Sequence, residues 1–409
     1  MRRFGAGRTA AAVAQVTIKA GHVRPIWAGH PWVYAQAVER VQGGAAPGDV
    51  VDVLDPQGKW LGRGLYSPDT AIPVRIYTRV QSQDLSLALL EQRIAAAVKR
   101  RQVCGLPSQR TNAFRVVNGE GDDFPGLVVD KYGDTVVVQI STLGVKLRET
   151  GILDAIERQL RPRCILDRTS ERTARAEHFT VKRGIVRGEQ NLRELEFSER
   201  GFQYAIPLDL GQKTGYYFDQ RSLRGRIEQL AYGRSVLDVF SYVGPFALAA
   251  VRGGAIRVTA VDSNPLAMEV AAQVAARNGF AERIVYEHDD AFEALKRAGR
   301  SGDYDLVICD PPKIAPSKSA SMQALKYMRS IAGAGCRAVA HEGQLVLCSC
   351  SAALGLGDLT RSLALGARDV NATARVLERW YQGPDHPVNA AFPEGLYLSA
   401  VIAEIGAVG

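Results

Sequence analysis

No apolar run in this 409-residue chain approaches the ~18 residues a membrane-crossing helix needs, so a bilayer is not an expected partner. The N-terminal MRRFGAGRTAAAVAQ is basic and then alanine-rich, but it lacks the leucine-rich core of a signal peptide. It is expected to be a short loose tail, with the protein itself cytoplasmic. The six cysteines (Cys104, Cys164, Cys309, Cys336, Cys348 and Cys350) are scattered, and none forms the C-x2-C pair of a zinc site. A chain this long does not depend on disulfide staples, so reduced thiols and no metal are expected. There is no internal repeat and no low-complexity segment. Acid is also missing at the start. No Asp or Glu precedes Glu39, whereas Arg2, Arg3, Arg8, Lys19 and Arg24 do, and the chain carries a formal net charge of +8. Such a stretch concentrates polyanions nearby, although a solvated tail is the commoner explanation when nothing else points to an anionic substrate.

What is present falls into sections. From about 15 to 80, strand-like runs (VTIKAG, VVDVLD, WLGRGLYS, IPVRIYT) are separated by the turns GGAAPGD and SPDTA, as in a small β-rich barrel or sheet. SLALLEQRIAAAVKRRQV has apolar residues at helical spacing and a basic end suited to the helix dipole. FRVVNGEGDDFPGLVVDKYGDTVVVQIS reads as hairpins turning at Asn118–Gly119, Pro125–Gly126 and Tyr132–Gly133. A helix through RETGILDAIERQL and further strand to about 195 follow. From about 200 the rhythm becomes strand–helix alternation: SVLDVF and PFALAAVR, RVTAVD and NPLAMEVAAQVAARNG, RIVYEHDD and AFEALKRAG, DYDLVICD and SMQALKYMRSIAGAG, GQLVLCSCS and DLTRSLALGA. That alternation specifies an α/β, mostly parallel, doubly wound sheet. Asn264, Pro265 and Gly279 supply the cap, first turn and stop of its second helix.

In an open α/β sheet the ligand lies beyond the carboxyl ends of the strands, so the residues ending each strand carry the chemistry. The first strand ends in Asp238-Val-Phe240-Ser241-Tyr-Val-Gly244-Pro. This is not the G-x-G-x-x-G loop that seats a pyrophosphate, which places an NAD oxidoreductase last among the alternatives. An acid there repels pyrophosphate and suits an ammonium or sulfonium, and Gly244 allows close backbone approach. The second strand ends in Asp262-Ser263, where a carboxylate accepts from ribose hydroxyls. The third ends in Asp289-Asp290, where an oxygen can take an adenine amino group. Each acid alone is equally explained as a structural residue, since Asp after a strand commonly caps the next helix. Their order on three successive strands favours S-adenosylmethionine. The Asp310-Pro311-Pro312-Lys313 turn ends the fourth strand, and the polar segment Gly211-Gln212-Lys213-Thr214-Gly215-Tyr216-Tyr217-Phe-Asp219-Gln-Arg221 precedes the first. Lys313 is most simply an exposed strand-end lysine.

Cytosine is too weak a nucleophile at C5 to take a methyl group directly. Attack by a thiolate at C6 turns the ring enamine-like and activates C5. Such an enzyme needs a cysteine beside the methyl donor, an acid near the ring and a base for the C5 proton. Cys350, at the ligand edge of the fifth strand, is the candidate nucleophile; Cys348 lies deeper and Cys309 reads as core. Asp310 is the expected polar partner of the base at its N3/N4 edge.

Together QKTGYYFDQR, VLDVFSYVGPF, VDSNPLAMEVAAQVAARNG, HDDAF, CDPPK, CSCS and DHPVNAAFPEGLYL closely resemble the RlmI-like family, bacterial methyltransferases that form 5-methylcytosine in large-subunit (23S) ribosomal RNA. HPWVYAQAVE, VDVLDPQGKWLGRGLYSP and GEGDDFPGLVVDKYG extend the resemblance over nearly the whole chain. It implies an RNA-binding PUA domain at 15–82 after the tail at 1–14, a central α+β domain at 83–195 and a class I, Rossmann-like methyltransferase domain at 196–409. It also implies S-adenosylmethionine as cofactor, held by Gln212, Lys213, Thr214, Gly215, Tyr217, Asp238, Phe240, Ser241, Gly244, Asp262, Ser263, Asp289, Asp290, Asp310 and Pro311. Cys350 would be the nucleophile and Asp310 its catalytic neighbour. Two departures stand in the first-strand loop, where Val243 and Pro245 replace the usual Thr and Gly, and Ile314 replaces a common aromatic. The Val243 change removes a hydroxyl from the cofactor loop. The competing assignments are a related guanine-nitrogen rRNA methyltransferase, which needs no thiol; an exocyclic-amine methyltransferase, against which Lys313 in the aromatic position argues; and a non-catalytic RNA-binding or ribosome-assembly protein, against which the intact strand-end acids argue. Whether the substrate is naked rRNA or a precursor particle, and whether the enzyme is a homodimer, the sequence leaves open.

Overall fold

A computed structural model describes residues 13–210, 213–313 and 321–407. The expected tail, the loop residue Gln212 and Ile314 therefore fall wholly or largely outside the described residues. The chain divides into two compact units. The first runs through Gly105 and adds Arg115–Asn191 and Pro387–Pro393; the second comprises Leu106–Phe114, Leu192–His386 and the chain from Glu394 onward.

The first unit opens with β1 (Ala14–Ile18), α1 (Val23–Trp27), β2 (Trp32–Val33), β3 (Val38–Gln42), β4 (Val50–Leu54), β5 (Trp60–Tyr66) and β6 (Val74–Thr78). These strands form one sheet in the order β2-β6-β5-β4-β1-β3. It closes over a small core of Val16, Ile18, Ile26, Val33, Val51, Val53, Val74 and Ile76. α2 (Leu87–Val103) follows, capped by Ser86, whose side chain accepts from the Leu89 amide. Then come β7 (Ala113–Asn118), β8 (Leu127–Tyr132), β9 (Thr135–Ile140), α3 (Leu143–Lys146), α4 (Glu149–Leu160), β10 (Cys164–Asp167), α5 (Glu171–Ala176) and β11 (Gly184–Gly188). The second sheet has the order β11-β10-β9-β8-β7. The short helix α5 lies in a stretch read from sequence as strand. Ser170 caps it, accepting from the Thr173 amide, and this local signal overrides the surrounding strand pattern.

The second unit carries the alternation. β12 (Glu194–Glu199) and β13 (Phe202–Pro207) pair as an antiparallel ribbon. Then follow α6 (Arg221–Leu230), β14 (Ser235–Val239), α7 (Pro245–Arg252), β15 (Arg257–Asp262), α8 (Pro265–Arg277), β16 (Ile284–His288), α9 (Ala291–Ser301), β17 (Tyr304–Cys309), α10 (Ser321–Ala338), β18 (Val339–Ser349), α11 (Leu356–Asp369), β19 (Ala372–Tyr381) and β20 (Ser399–Ala407). The sheet order is β16-β15-β14-β17-β18-β20-β19. The first five strands are mutually parallel, whereas β20 runs antiparallel to both β18 and β19. The chain order reverses between β14 and β17, the switch point where such sheets bind ligands.

One face of the sheet, through Leu237, Val239, Val307, Leu345 and Leu347, packs on Leu295 of α9, Met328 and Ile331 of α10, and Leu359 and Leu363 of α11. Parallel strands covered on both faces are buried on consecutive residues, as β14 is from Val236 and β17 from Leu306. α8 starts and stops as its sequence dictates. The Asn264 side chain accepts from the Ala267 amide, Pro265 opens the first turn, and Gly279 follows the end at φ +78°. The closing strands β19 and β20 were not anticipated. β19 alternates half-buried and exposed along its whole length, an edge-strand pattern.

Candidate functional site

The carboxyl ends of β14, β15, β17 and β18 assemble one acidic cradle. Asp238, next to the last residue of β14, has no exposure at all. Its Oδ2 accepts from the Ala247 amide at 3.2 Å, and its Oδ1 is buried without a hydrogen-bond partner. Burial pushes its carboxyl well above the usual range, and the charges of Asp310 and Asp262 add to the rise. The loop beyond it holds Phe240, Tyr242 and Gly244 in left-handed conformations, at φ +62°, +53° and +73°. Local bonds enforce this shape. The Ser241 amide donates to the Val261 carbonyl at 3.0 Å and the Gly244 amide to the Ser241 carbonyl at 2.8 Å. Asp262 accepts the Tyr242 amide on one oxygen and the Asn264 amide on the other, both at 2.9 Å. Ser241 Oγ is buried and, like Asp238 Oδ1, has no partner. A buried carboxylate oxygen and a buried hydroxyl without partners, with the charges of Asp262 and Asp310 acting on Asp238, leave room for a cationic donor from outside the protein. The ammonium and sulfonium of S-adenosylmethionine bring such a positive charge. Val243, in place of the usual Thr, is fully buried.

The third strand end serves the helix that follows. Asp290 caps α9, accepting from the amides of Phe292 at 2.8 Å and Glu293 at 3.3 Å. Asp289 pairs with Arg297 and accepts the Asp290 amide, which holds its carboxyl below the usual range. Ser263 is exposed, and its carbonyl lies 3.1 Å from His288 Nε2.

The segment before α6 folds over the same edge. Lys213 takes a left-handed conformation, and its Nζ lies 4.8 Å from the Tyr217 ring centre. Thr214 is buried. The Gly215 carbonyl accepts from the Tyr242 hydroxyl at 2.8 Å, and the Tyr217 and Tyr242 rings meet edge-on at 5.6 Å. A buried ion network braces the segment from beneath. Arg224 donates to the Tyr217 carbonyl at 3.0 and 2.9 Å and to Glu199 at 3.0 and 2.6 Å. Glu199 also accepts from Arg221 at 3.2 Å and from the Tyr216 hydroxyl at 3.1 Å. Arg221 continues to Asp385 at 2.9 Å, and Asp385 lies 3.1 Å from His386 Nδ1.

The Asp-Pro-Pro turn and the end of β18 complete the site. Gln220 Nε2 donates to both oxygens of Asp310, each at 2.8 Å. Burial pushes Asp310 up to about 6; the Gln220 bond opposes the rise and the charge of Asp219 adds to it. Asp219 accepts from the Tyr397 hydroxyl at 2.7 Å. Cys350 falls one residue beyond β18, half-buried, with its thiol 3.9 Å from the Pro311 carbonyl. Burial pushes this thiol up to about 11. Asp310 is the largest charge adding to the rise, while Lys213 and Lys313 oppose it. Cys348 and Cys309 are fully buried, and Cys309 belongs to the core. Tyr217 feels the charges of both Asp310 and Cys350, so the three groups are neighbours. Of the residues expected from sequence, Lys213, Gly215, Tyr217, Asp238, Ser241, Gly244, Asp262, Asp310, Pro311 and Cys350 are linked by these contacts and charges, and Phe240 packs against the core of the sheet. Glu199, Asp219, Gln220, Arg224, Tyr242 and Tyr397 were missed. Asp219 and Gln220 stand inside the quoted QKTGYYFDQR motif, and Tyr397 stands in DHPVNAAFPEGLYL.

A doubly wound sheet with this strand order and a cation-seeking acidic cradle at its switch point defines a Rossmann-like methyltransferase. Residues 16–79 match the PUA-like domain, and residues 184–395 match the S-adenosylmethionine-dependent methyltransferase family. The chain is 32% identical over 378 residues to the ribosomal RNA large subunit methyltransferase I of Erwinia tasmaniensis, covering 92% of this chain and 95% of that one. It is 32% identical over 398 residues to the protein of the same name from Escherichia coli, covering 96% and 99%. The chain therefore belongs to the S-adenosylmethionine-dependent methyltransferase family, in the RlmI-like group that its motifs resemble, and S-adenosylmethionine is its cofactor. A methyltransferase crystallised with SAH shares the fold, with a TM-score of 0.81 at 20% identity over 95% of this chain and 99% of that one.

Proposed function

We propose that this protein forms 5-methylcytosine in 23S ribosomal RNA, in the cytoplasm, through a covalent bond between Cys350 and C6 of the target base. The main support is the position of Cys350. It is a half-buried thiol beyond the end of β18, beside the Asp-Pro-Pro turn and the Lys213–Tyr217 segment, while Cys348 behind it is sealed in the sheet. A PUA-like domain on a basic chain gives a means of gripping RNA. Asp238, Ser241 and Asp262 would hold the amino-acid and ribose parts of the cofactor, with the Lys213–Tyr217 segment covering it. The bound cofactor supplies an electrophilic methyl group.

A thiol raised to about 11 rests protonated, so its proton must leave as sulfur attacks. Asp310, ionised at neutral pH with its carboxyl near 6, receives that proton and hands it to N3, where negative charge develops on the ring. The Cys350 S–C6 bond would activate C5 toward the methyl group that the cofactor supplies when bound, and the C6–S bond would reopen as a base takes the C5 proton. N3 returns its proton and the thiol is restored.

Cys350→Ala tests the proposal. Mass mapping of ribosomal RNA from a strain carrying only the variant should lack one methyl group on cytosine, while calorimetry of the purified variant finds S-adenosylmethionine binding intact. Methylation that survives the change points instead to a guanine nitrogen as acceptor.

A further inference from the structure

Gln220 lies in the turn before α6 and is only 4% exposed. Its Nε2 touches both Asp310 oxygens at 2.8 Å. The amide orientation is fixed by chemistry, because an ionised carboxylate can only accept and the nitrogen must face it. The other end of the same amide, Oε1, is buried and has no partner in the protein. A buried acceptor left open one amide-width from the group assigned to the base edge is a recognition element waiting for a donor.

We propose that Gln220 reads the target base: its Oε1 accepts from the exocyclic amine at C4, while its Nε2 holds Asp310 toward N3. This rests on the C5-cytosine reading above. Cytosine offers a donor at N4, which matches the open oxygen of Gln220, and an acceptor at N3, which matches Asp310 once that carboxyl has taken the proton of Cys350. Uracil inverts both, with a donor at N3 and an acceptor at O4. It would set oxygen against oxygen in a buried site, where unpaired polar groups are costly to leave. Gln220 thus contributes to the choice of cytosine over uracil, and as a positioning residue it aims Asp310.

The test uses the full-length enzyme, labelled S-adenosylmethionine and 23S rRNA transcripts in which the mapped target nucleotide is cytidine or uridine. Gln220→Leu removes both contacts. Its kcat/KM on the cytidine transcript should fall by about 10- to 100-fold, and its preference for cytidine over uridine should shrink, with cofactor affinity unchanged. Gln220→Glu keeps an acceptor but opposes Asp310 with a second carboxyl. It should keep most of the base preference while the acid limb of its pH–rate profile moves to higher pH, because the paired carboxyls retain a proton more tightly. An unchanged preference in Gln220→Leu overturns the proposal. So does a parallel loss of S-adenosylmethionine affinity, which would assign Oε1 to the cofactor's ammonium. Wild-type enzyme that makes no 5-methylcytosine would instead sink the underlying functional reading, whatever the variants do.

Discussion

Replacing Asp310 with Asn should stabilise the cofactor-free protein while disabling it. The carboxyl rises from an ordinary 3.8 to about 6, which at roughly 1.36 kcal/mol per pH unit corresponds to about 3 kcal/mol. Because the folded value lies above the unfolded one, the protonated group's contribution is complete below about pH 4. It is lost as pH rises through about 6, and above that the folded state carries a charge it would rather shed. Asn carries no charge, but it gives up one of the two bonds from Gln220, worth about 1 kcal/mol. The net gain at pH 7.5 is then about 1–2 kcal/mol, or roughly 2–8 °C in melting temperature for a unit of this size. At pH 4 the gain vanishes. Melting curves of wild type and Asp310→Asn without cofactor, at both pH values, measure this, and methyl transfer should fall by about 10²–10⁴-fold. Equal melting temperatures at pH 7.5, or a less stable variant there, would show that burial does not strain this carboxyl.

Asp238→Asn should weaken S-adenosylmethionine binding by roughly 10- to 100-fold in calorimetry, since it removes a charge-assisted acceptor for the ammonium; undiminished affinity would place the ammonium elsewhere. Glu199→Gln should lower unfolding free energy by about 3–5 kcal/mol in urea, because it leaves Arg224 buried beside a neutral group; a loss under 1 kcal/mol would mean the network is dispensable.

The parallel half of the second unit was legible in sequence because its strands are rich in Val, Ile and Leu and its helices are punctuated: α7 and β15 fall on the residues read from the pattern. β19 and β20 were not, because after α11 the strand–helix alternation stops and the eye loses its rhythm. Strand-end acids were the useful guide to the site, yet they are an ambiguous one. Asp290 does the ordinary work of a helix cap, and Asp289 is committed to Arg297, whereas Asp238 keeps an oxygen in reserve. Gln220 and Tyr397 escaped notice for a different reason. Their partners are distant in sequence, and only the tertiary fold sets Gln220 beside Asp310 and Tyr397 beside Asp219.

The alternating left-handed residues between β14 and α7 have a kinetic consequence. Phe240 and Tyr242 each occupy a conformation that bulky side chains avoid, at about 1 kcal/mol or more apiece, and three short bonds within the loop and to Val261 and Asp262 hold them there. A collar locked in advance has little disorder to surrender when the methyl donor docks. Association should therefore resemble a key entering a cut lock, with a rate set by diffusion and charge rather than by loop rearrangement.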